Sequence, residues 1–303
     1  MKDIYHIETI TELNKLLNQE KPKHPLVSII DFSKVKSFGE TDVKTTTGFY
    51  CIMLKNQQCN KVKYGREYFD FQEGTLTFFP PNRAATIEND DNQQPTDSAG
   101  LGLFFHPDLI RRTSLANKMK EYTFFSYGLK EALHLSDKEK QTLNDCIAKI
   151  DNEISQNIDN HSQTLIVSNI ELLLNYCSRY YDRQFITRKN NNHEILIKFE
   201  NILKDYFNSD SLKKNGIPTV KYCAEKIFLS PNYLSDLLKK ETGRNAQDHI
   251  HSYIIEEAKN SLLNSNATVS EIAFKLGFEY PQYFSKLFKT KTGVSPAEYR
   301  SMN

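Results

Sequence analysis

The sequence predicts an α+β chain: a β-rich sandwich or small barrel with a helical hairpin, then an all-α region of two helix-turn-helix units joined by a long helix. Three observations carry this. Short apolar runs with turn punctuation fill about Leu26 to Ile110, the pattern of strands. From about Asp137 the apolar period becomes that of helices. Towards the C-terminus one stretch recurs at an offset of 49 to 50 residues.

A chain of 303 residues fits roughly two domains of ~100–200 residues each. Hydrophobic residues at 39% and charged residues at 25% give each domain material for a core. The net charge of +1 lends no global basicity, so any attraction to nucleic acid has to be local. Cys51, Cys59, Cys146, Cys177 and Cys223 form no CxxC pair and are widely scattered, which suits buried, reduced thiols in a cytosolic protein. Met1 to His6 lead into no apolar h-region, and no apolar run approaches the ~18 residues of a membrane helix. A cytoplasmic protein without membrane contact is expected.

In the β-rich region, Gly48 to Leu54 is apolar on both alternating sets. Phe49, Cys51 and Met53 stand against Tyr50, Ile52 and Leu54, as in a strand buried on both faces. Tyr68–Phe71 and Thr75–Phe79 flank Gln72-Glu73-Gly74, a hairpin turn with glycine available for positive φ. Pro80-Pro81-Asn82 ends the second run, because proline cannot donate to a ladder. Gly100–His106 is a further strand, and strands at this spacing argue for a sandwich or barrel.

Between Asp137 and Tyr181 two apolar series recur at steps of three and four: Leu143, Ile147, Ile150 and Ile154, then Ile166, Ile170, Leu173, Cys177 and Tyr180. Joined by the polar Gln156–Ser162, they predict an antiparallel helical hairpin. Its narrow stripes suit a helix–helix seam, either internal or between two copies of the chain. Thr187–His193 is polar with no apolar period and reads as a linker. The boundaries are then 1–186, 187–193 and 194–303.

The repeat is the strongest pattern. Pro231, Tyr233, Ser235, Leu237, Lys239, Thr242 and Gly243 recur as Pro281, Tyr283, Ser285, Leu287, Lys289, Thr292 and Gly293. Upstream, Cys223-Ala224-Glu225-Lys226-Ile227 matches Ile272-Ala273-Phe274-Lys275-Leu276. Each copy has a short helix with alanine where a second helix crosses closely, a turn, and a helix opened by proline and closed by glycine. Leu234, Leu237 and Leu238, and in the second copy Phe284, Leu287 and Phe288, face inward. The other faces carry Asn232, Tyr233, Ser235, Asp236, Lys239 and Lys240, and Gln282, Tyr283, Ser285, Lys286 and Lys289. Amide, hydroxyl and lysine donors near a helix N-terminus are what reading a major groove requires, so double-stranded DNA is the expected partner.

These motifs resemble those of the AraC/XylS family of transcriptional regulators. Ile272-Ala273, Gly277-Phe278, Tyr283-Phe284, Phe288-Lys289, Gly293, Pro296 and Tyr299-Arg300 match its second-unit signature over about Asn192–Asn303. The resemblance implies that Gln247–Leu263 is a long joining helix, holding both recognition helices for successive major grooves ~34 Å apart. Three departures stand out. Phe228 replaces the usual glycine in the first turn. Ile254 stands where arginine often contacts phosphate, and Asp236 where a basic base-contacting residue is common. Less specifically, Tyr64-Gly65-Arg66, Glu73–Leu76, Phe104–Pro107 and Glu131–Ser136 are similar to the family's cupin-like sensor domain. That implies a small-molecule effector, for which Tyr50, Tyr68, Phe79 and Phe104 are candidate pocket residues, and a homodimer, with RNA polymerase as a candidate partner.

Two other function classes make different demands on the sequence. A catalytic cupin needs a metal held by two histidines at i and i+2 on a strand. The only HxH, His249-Ile250-His251, falls in a helical region where those positions do not share a face. No metal, cofactor or catalytic residue is therefore expected. An effector-independent DNA binder would show a packed β-domain interior instead of a pocket.

Overall fold

A computed structural model describes residues 4–35, 44–55, 63–64, 67–68, 74–83, 85–86 and 100–302. The chain divides into two compact units, Met1–Gln184 and Phe185–Asn303.

In unit one, β1 (Ile4–Ile7) leads into α1 (Ile10–Leu16), whose N-cap Thr9 and Glu12 form a capping box. Then come β2 (Val27–Asp31), β3 (Lys44–Thr47), β4 (Tyr50–Lys55), β5 (Lys63–Tyr64), β6 (Glu67–Tyr68), β7 (Thr75–Phe79), β8 (Ala85–Thr86) and β9 (Gly100–Phe105). Two short helices, α2 (Pro107–Ile110) and α3 (Ser114–Lys118), precede β10 (Leu133–His134), α4 (Asp137–Ile154) and α5 (Ser162–Thr187). Among the described residues the main sheet has the order β10-β7-β4-β9-β2, with every pairing antiparallel. Among the described residues its two edges are β10 and β2. A smaller sheet has the order β1-β3-β8, and β5 pairs with β6.

The main sheet is covered on both sides, as the doubly apolar Gly48–Leu54 implied. One face sends Cys51 and Phe104 into a core with Ile7, Ile10, Leu13, Phe49 and Ile30. The other sends Phe78 against Phe124 (4.4 Å between centroids) and Tyr181 (6.2 Å), and Tyr50 against Phe125 (5.1 Å). Gly74 adopts φ +131° and the strand after it ends at Phe79, before Pro80. The expected hairpin partner differs. Thr75 and Leu76 are paired on both edges, by β4 and by β10, while Tyr68 pairs with Lys63. Residues 69–73 lie outside the described residues.

The helical hairpin has α4 and α5 close to their expected bounds, and its stripe is internal. Ile166, Ile170, Leu173 and Cys177 are at most 1% exposed within one chain, which excludes that stripe as a contact between copies. Cys51, Cys146, Cys177 and Cys223 are buried free thiols, and burial pushes Cys51 up to about 12. Cys59 lies outside the described residues.

Unit two is helical: α6 (Lys189–Phe207), α7 (Ser211–Asn215), α8 (Val220–Lys226), α9 (Pro231–Thr242), α10 (Ala246–Asn264), α11 (Val269–Lys275), α12 (Pro281–Thr292) and α13 (Pro296–Met302). The stretch expected as a linker is therefore helix from Lys189. Asn192 within it is fully buried, and its amide donates to the Phe185 carbonyl at 2.7 Å and to Glu241 Oε1 at 2.9 Å. A single residue of a polar run can still be core when its donor finds buried acceptors.

Candidate nucleic-acid interface

Two helix-turn-helix units, α8–α9 and α11–α12, are built around α10. Ala224 and Ala273 are fully buried, where a larger side chain would push the paired helices apart. In the first unit, Ser230 caps α9 by accepting from the Tyr233 amide at 3.3 Å, and Pro231 occupies the first turn. In the second, Tyr280 stands at the same place and provides no side-chain cap. Helices α9 and α12 both end on left-handed glycines, Gly243 at φ +77° and Gly293 at φ +86°.

The two turns solve one backbone problem differently. Gly277 takes φ +83°, and a Cβ there would lie 2.9 Å from Leu212 Cδ1 and 3.0 Å from the Gly216 carbonyl carbon. Phe228 takes φ +59° with a side chain, and its ring is 86% exposed. The first turn therefore keeps the left-handed conformation and carries its strain.

Joining helix α10 buries Ile250, Ile254, Ile255, Ala258 and Leu262. The buried Ile254 is core, so this position reaches no phosphate. At the far end of α10, Arg300 donates to the Leu262 carbonyl at 3.1 Å and the Ala267 carbonyl at 2.6 Å. Lys291 of α12 pairs with Asp248 of α10 at 2.9 Å, and this bond holds the Asp248 carboxyl below its usual range. His249 and His251 turn to separate partners, Thr242 Oγ1 at 2.7 Å and Gln247 Nε2 at 2.9 Å, as expected of positions on different faces.

Leu234, Leu237, Leu238, Phe284 and Phe288 are fully buried, as the pattern implied, and Leu287 is half-buried. Of the residues expected at the groove, Asn232, Lys239 and Lys240 of α9 and Gln282, Tyr283, Lys286 and Lys289 of α12 are exposed. Two residues expected at the groove belong elsewhere. Tyr233 is 1% exposed and packs on Phe185 at 5.2 Å, so it cannot present itself to a base. Ser235 is half-buried and its Oγ accepts from the Ala246 amide at 3.4 Å, which turns it towards α10. Asp236 and Ser285 are half-buried.

Sequence reasoning missed Tyr280 (52% exposed), edge-on to Tyr283 at 5.8 Å. It also missed a cleft of about 540 Å³ where Arg244, Lys259 and Lys291 meet Asp248 and Glu256. All but one of the cleft residues fall between Arg244 and Lys259; Lys291 comes from α12, distant in sequence, so the local run alone does not announce the cleft.

The described candidate pocket residues fall on two faces of the main sheet. Phe104 and Phe79 belong to the α1 side of the main sheet, whereas Tyr50 stacks on Phe105 at 5.0 Å on the opposite face. The Tyr68 side chain lies outside the described residues.

Residues 223–302 match a family model described as a helix-turn-helix domain. The chain is 38% identical over 85 residues to an uncharacterized transcriptional regulatory protein, YesN, of Bacillus subtilis, covering 27% of this chain and 23% of that protein. It is 32% identical over 78 residues to the arabinose operon regulatory protein of Salmonella typhimurium, covering 26% and 28% respectively. It is also similar to the solved C-terminal domain of the two-component response regulator yesN from Fusobacterium nucleatum. That likeness is 32% identical, covers 34% of this chain and 93% of the other, and has a TM-score of 0.30. The matches span about a quarter of the two curated relatives' length. Among the described residues no helix is long and apolar enough to cross a membrane.

Proposed function

With an AraC/XylS-type helix-turn-helix domain at its C-terminus, we propose that the chain is a cytoplasmic, sequence-specific DNA-binding transcriptional regulator and not an enzyme. One observation carries this reading. Two helices with polar outer faces, α9 and α12, are seated on the single buried spine of α10. Asn232, Lys239 and Lys240 of one, and Gln282, Tyr283, Lys286 and Lys289 of the other, are the donors offered to DNA. Amide and lysine groups suit base edges and lysines suit phosphates. A selection from randomised duplexes with the full chain tests it: an enriched two-part motif is expected, and no enrichment at low salt contradicts it.

On this reading the functional division falls at Phe185. Unit one is a cupin-like regulatory half that takes a small effector, and the regulator contacts RNA polymerase at its promoter. It acts as a homodimer. Since the α5 stripe is consumed in the core, the contact falls on the outer face of α5, where Leu165 and Leu172 are 47% and 40% exposed. A second reading, effector-independent DNA binding, is favoured by the aromatic filling on both faces of the main sheet, with Phe49, Phe104 and Phe105 at most 2% exposed. A thermal-shift screen on the full chain separates the two, because a ligand of the folded state raises stability by RT ln(1 + [L]/Kd).

A further inference from the structure

The two units carry the same tyrosine in opposite surroundings. Tyr283 on α12 is 60% exposed, while its repeat partner Tyr233 on α9 is 1% exposed beneath the Phe185 ring. Phe185 lies near the end of α5, and its own carbonyl accepts from the Asn192 amide of α6. The same amide nitrogen donates to Glu241 Oε1, back on α9. Both partners of that nitrogen are pure acceptors, which fixes the orientation of the amide. Its oxygen is buried with no hydrogen-bond partner.

Phe185 and Asn192 therefore grip α9 at two points, Tyr233 and Glu241. Eight residues separate them, about 12 Å along the axis and within about a quarter turn of the same side. Two such holds set both the rotation and the tilt of a helix. Rotation decides which side chains reach a groove, since Asn232 and Asp236 share a face about 60–100° from Tyr233. An apolar residue in place of Asn192 would remove the orphaned amide oxygen but would take this donor from both the Phe185 carbonyl and Glu241, so what the amide supplies is the tie between those two acceptors.

We propose that Phe185 and Asn192 are positioning residues for the first reading helix, so that the base preference of α9, but not that of α12, depends on them. This rests on the DNA-binding reading above.

The test uses the full chain and its own selected duplex, with the two halves of the motif assigned by Asn232→Ala and Gln282→Ala. Phe185→Ala and Asn192→Asp, the latter setting a carboxylate against Glu241, are then measured base by base in competition with wild type. Loss of preference by about tenfold in the half read by α9, with the α12 half and the cooperative melt retained, is expected. Unchanged preference in both halves overturns the proposal. Parallel loss in both halves also overturns it, because that is the mark of general structural support. Should both variants fail to fold, Glu241→Ala removes one grip at a half-buried site and must show the same one-sided loss; wild-type preference there overturns the proposal. If the wild-type chain selects no duplex at all, the DNA-binding reading falls first; if it selects one and the variants match it, only the positioning role falls.

Discussion

At Phe228 a phenylalanine holds φ +59° with its ring in solvent, so little packing offsets the strained backbone. Phe228→Gly is expected to stabilise the chain by about 0.5–1 kcal/mol, the left-handed penalty less the entropy of an unfolded glycine. Gly277→Ala should do the reverse and cost more than about 1 kcal/mol, because φ is +83° and Leu212 and Gly216 leave no room for a Cβ. Urea denaturation of both variants checks the pair; equal and opposite signs to these would mean that the two turns are not equivalent. On the reading helices, Gln282→Ala and Lys286→Ala should each relax preference at particular bases by about 1–3 kcal/mol. Lys289→Ala should weaken all sequences alike and lower the salt slope by ~1. Asp236→Asn should keep or raise overall affinity, since its carboxylate repels phosphate. Binding across randomised duplexes at several salt concentrations reads all four, and a base-specific effect confined to Lys289 would reverse the assignment of helix faces.

At the scale of elements, periodicity located α4, α5 and both helix-turn-helix units, because a helix that packs on one side repeats its apolar residues locally. What it could not supply was the identity of the partner. The stripe through Ile170 and Leu173 has the same spacing whether it meets a neighbouring element or another chain, and only the fold shows both residues buried within one chain. Ile170→Asp is accordingly expected to cost roughly 3–5 kcal/mol and to unfold unit one, as an unpaired buried charge does. Leu172→Glu, on the outer face of α5, should leave circular dichroism unchanged and convert dimers to monomers in sedimentation. Dimers persisting in that variant would move the proposed contact elsewhere. Tyr233 and Asn192 escaped for the same physical reason. Tyr233 was assigned to the groove from its neighbours, yet Phe185, distant in sequence, covers it; Asn192 sits in a polar run, yet its hydrogen bonds to Phe185 and Glu241 make it core.

For the whole molecule, the repeat made half of the architecture legible, since two copies of one pattern with alanine, proline and glycine in fixed places restrict the fold far more than either alone. The part of unit one before α4 was legible only as separate strands. Its sheet order and the second neighbour of β7 depend on pairings between distant residues, which alternation along one strand does not encode. The division at Phe185 implies that residues 185–303 fold alone and bind a duplex weakly, while the full chain binds paired sites more tightly through effective concentration. The measurement that bears most directly on the central claim is the affinity of both proteins for one duplex carrying two copies of the selected motif, titrated against salt. Binding by both is expected, tighter for the full chain and falling as salt rises in each. Absence of binding by either protein at low salt would contradict it.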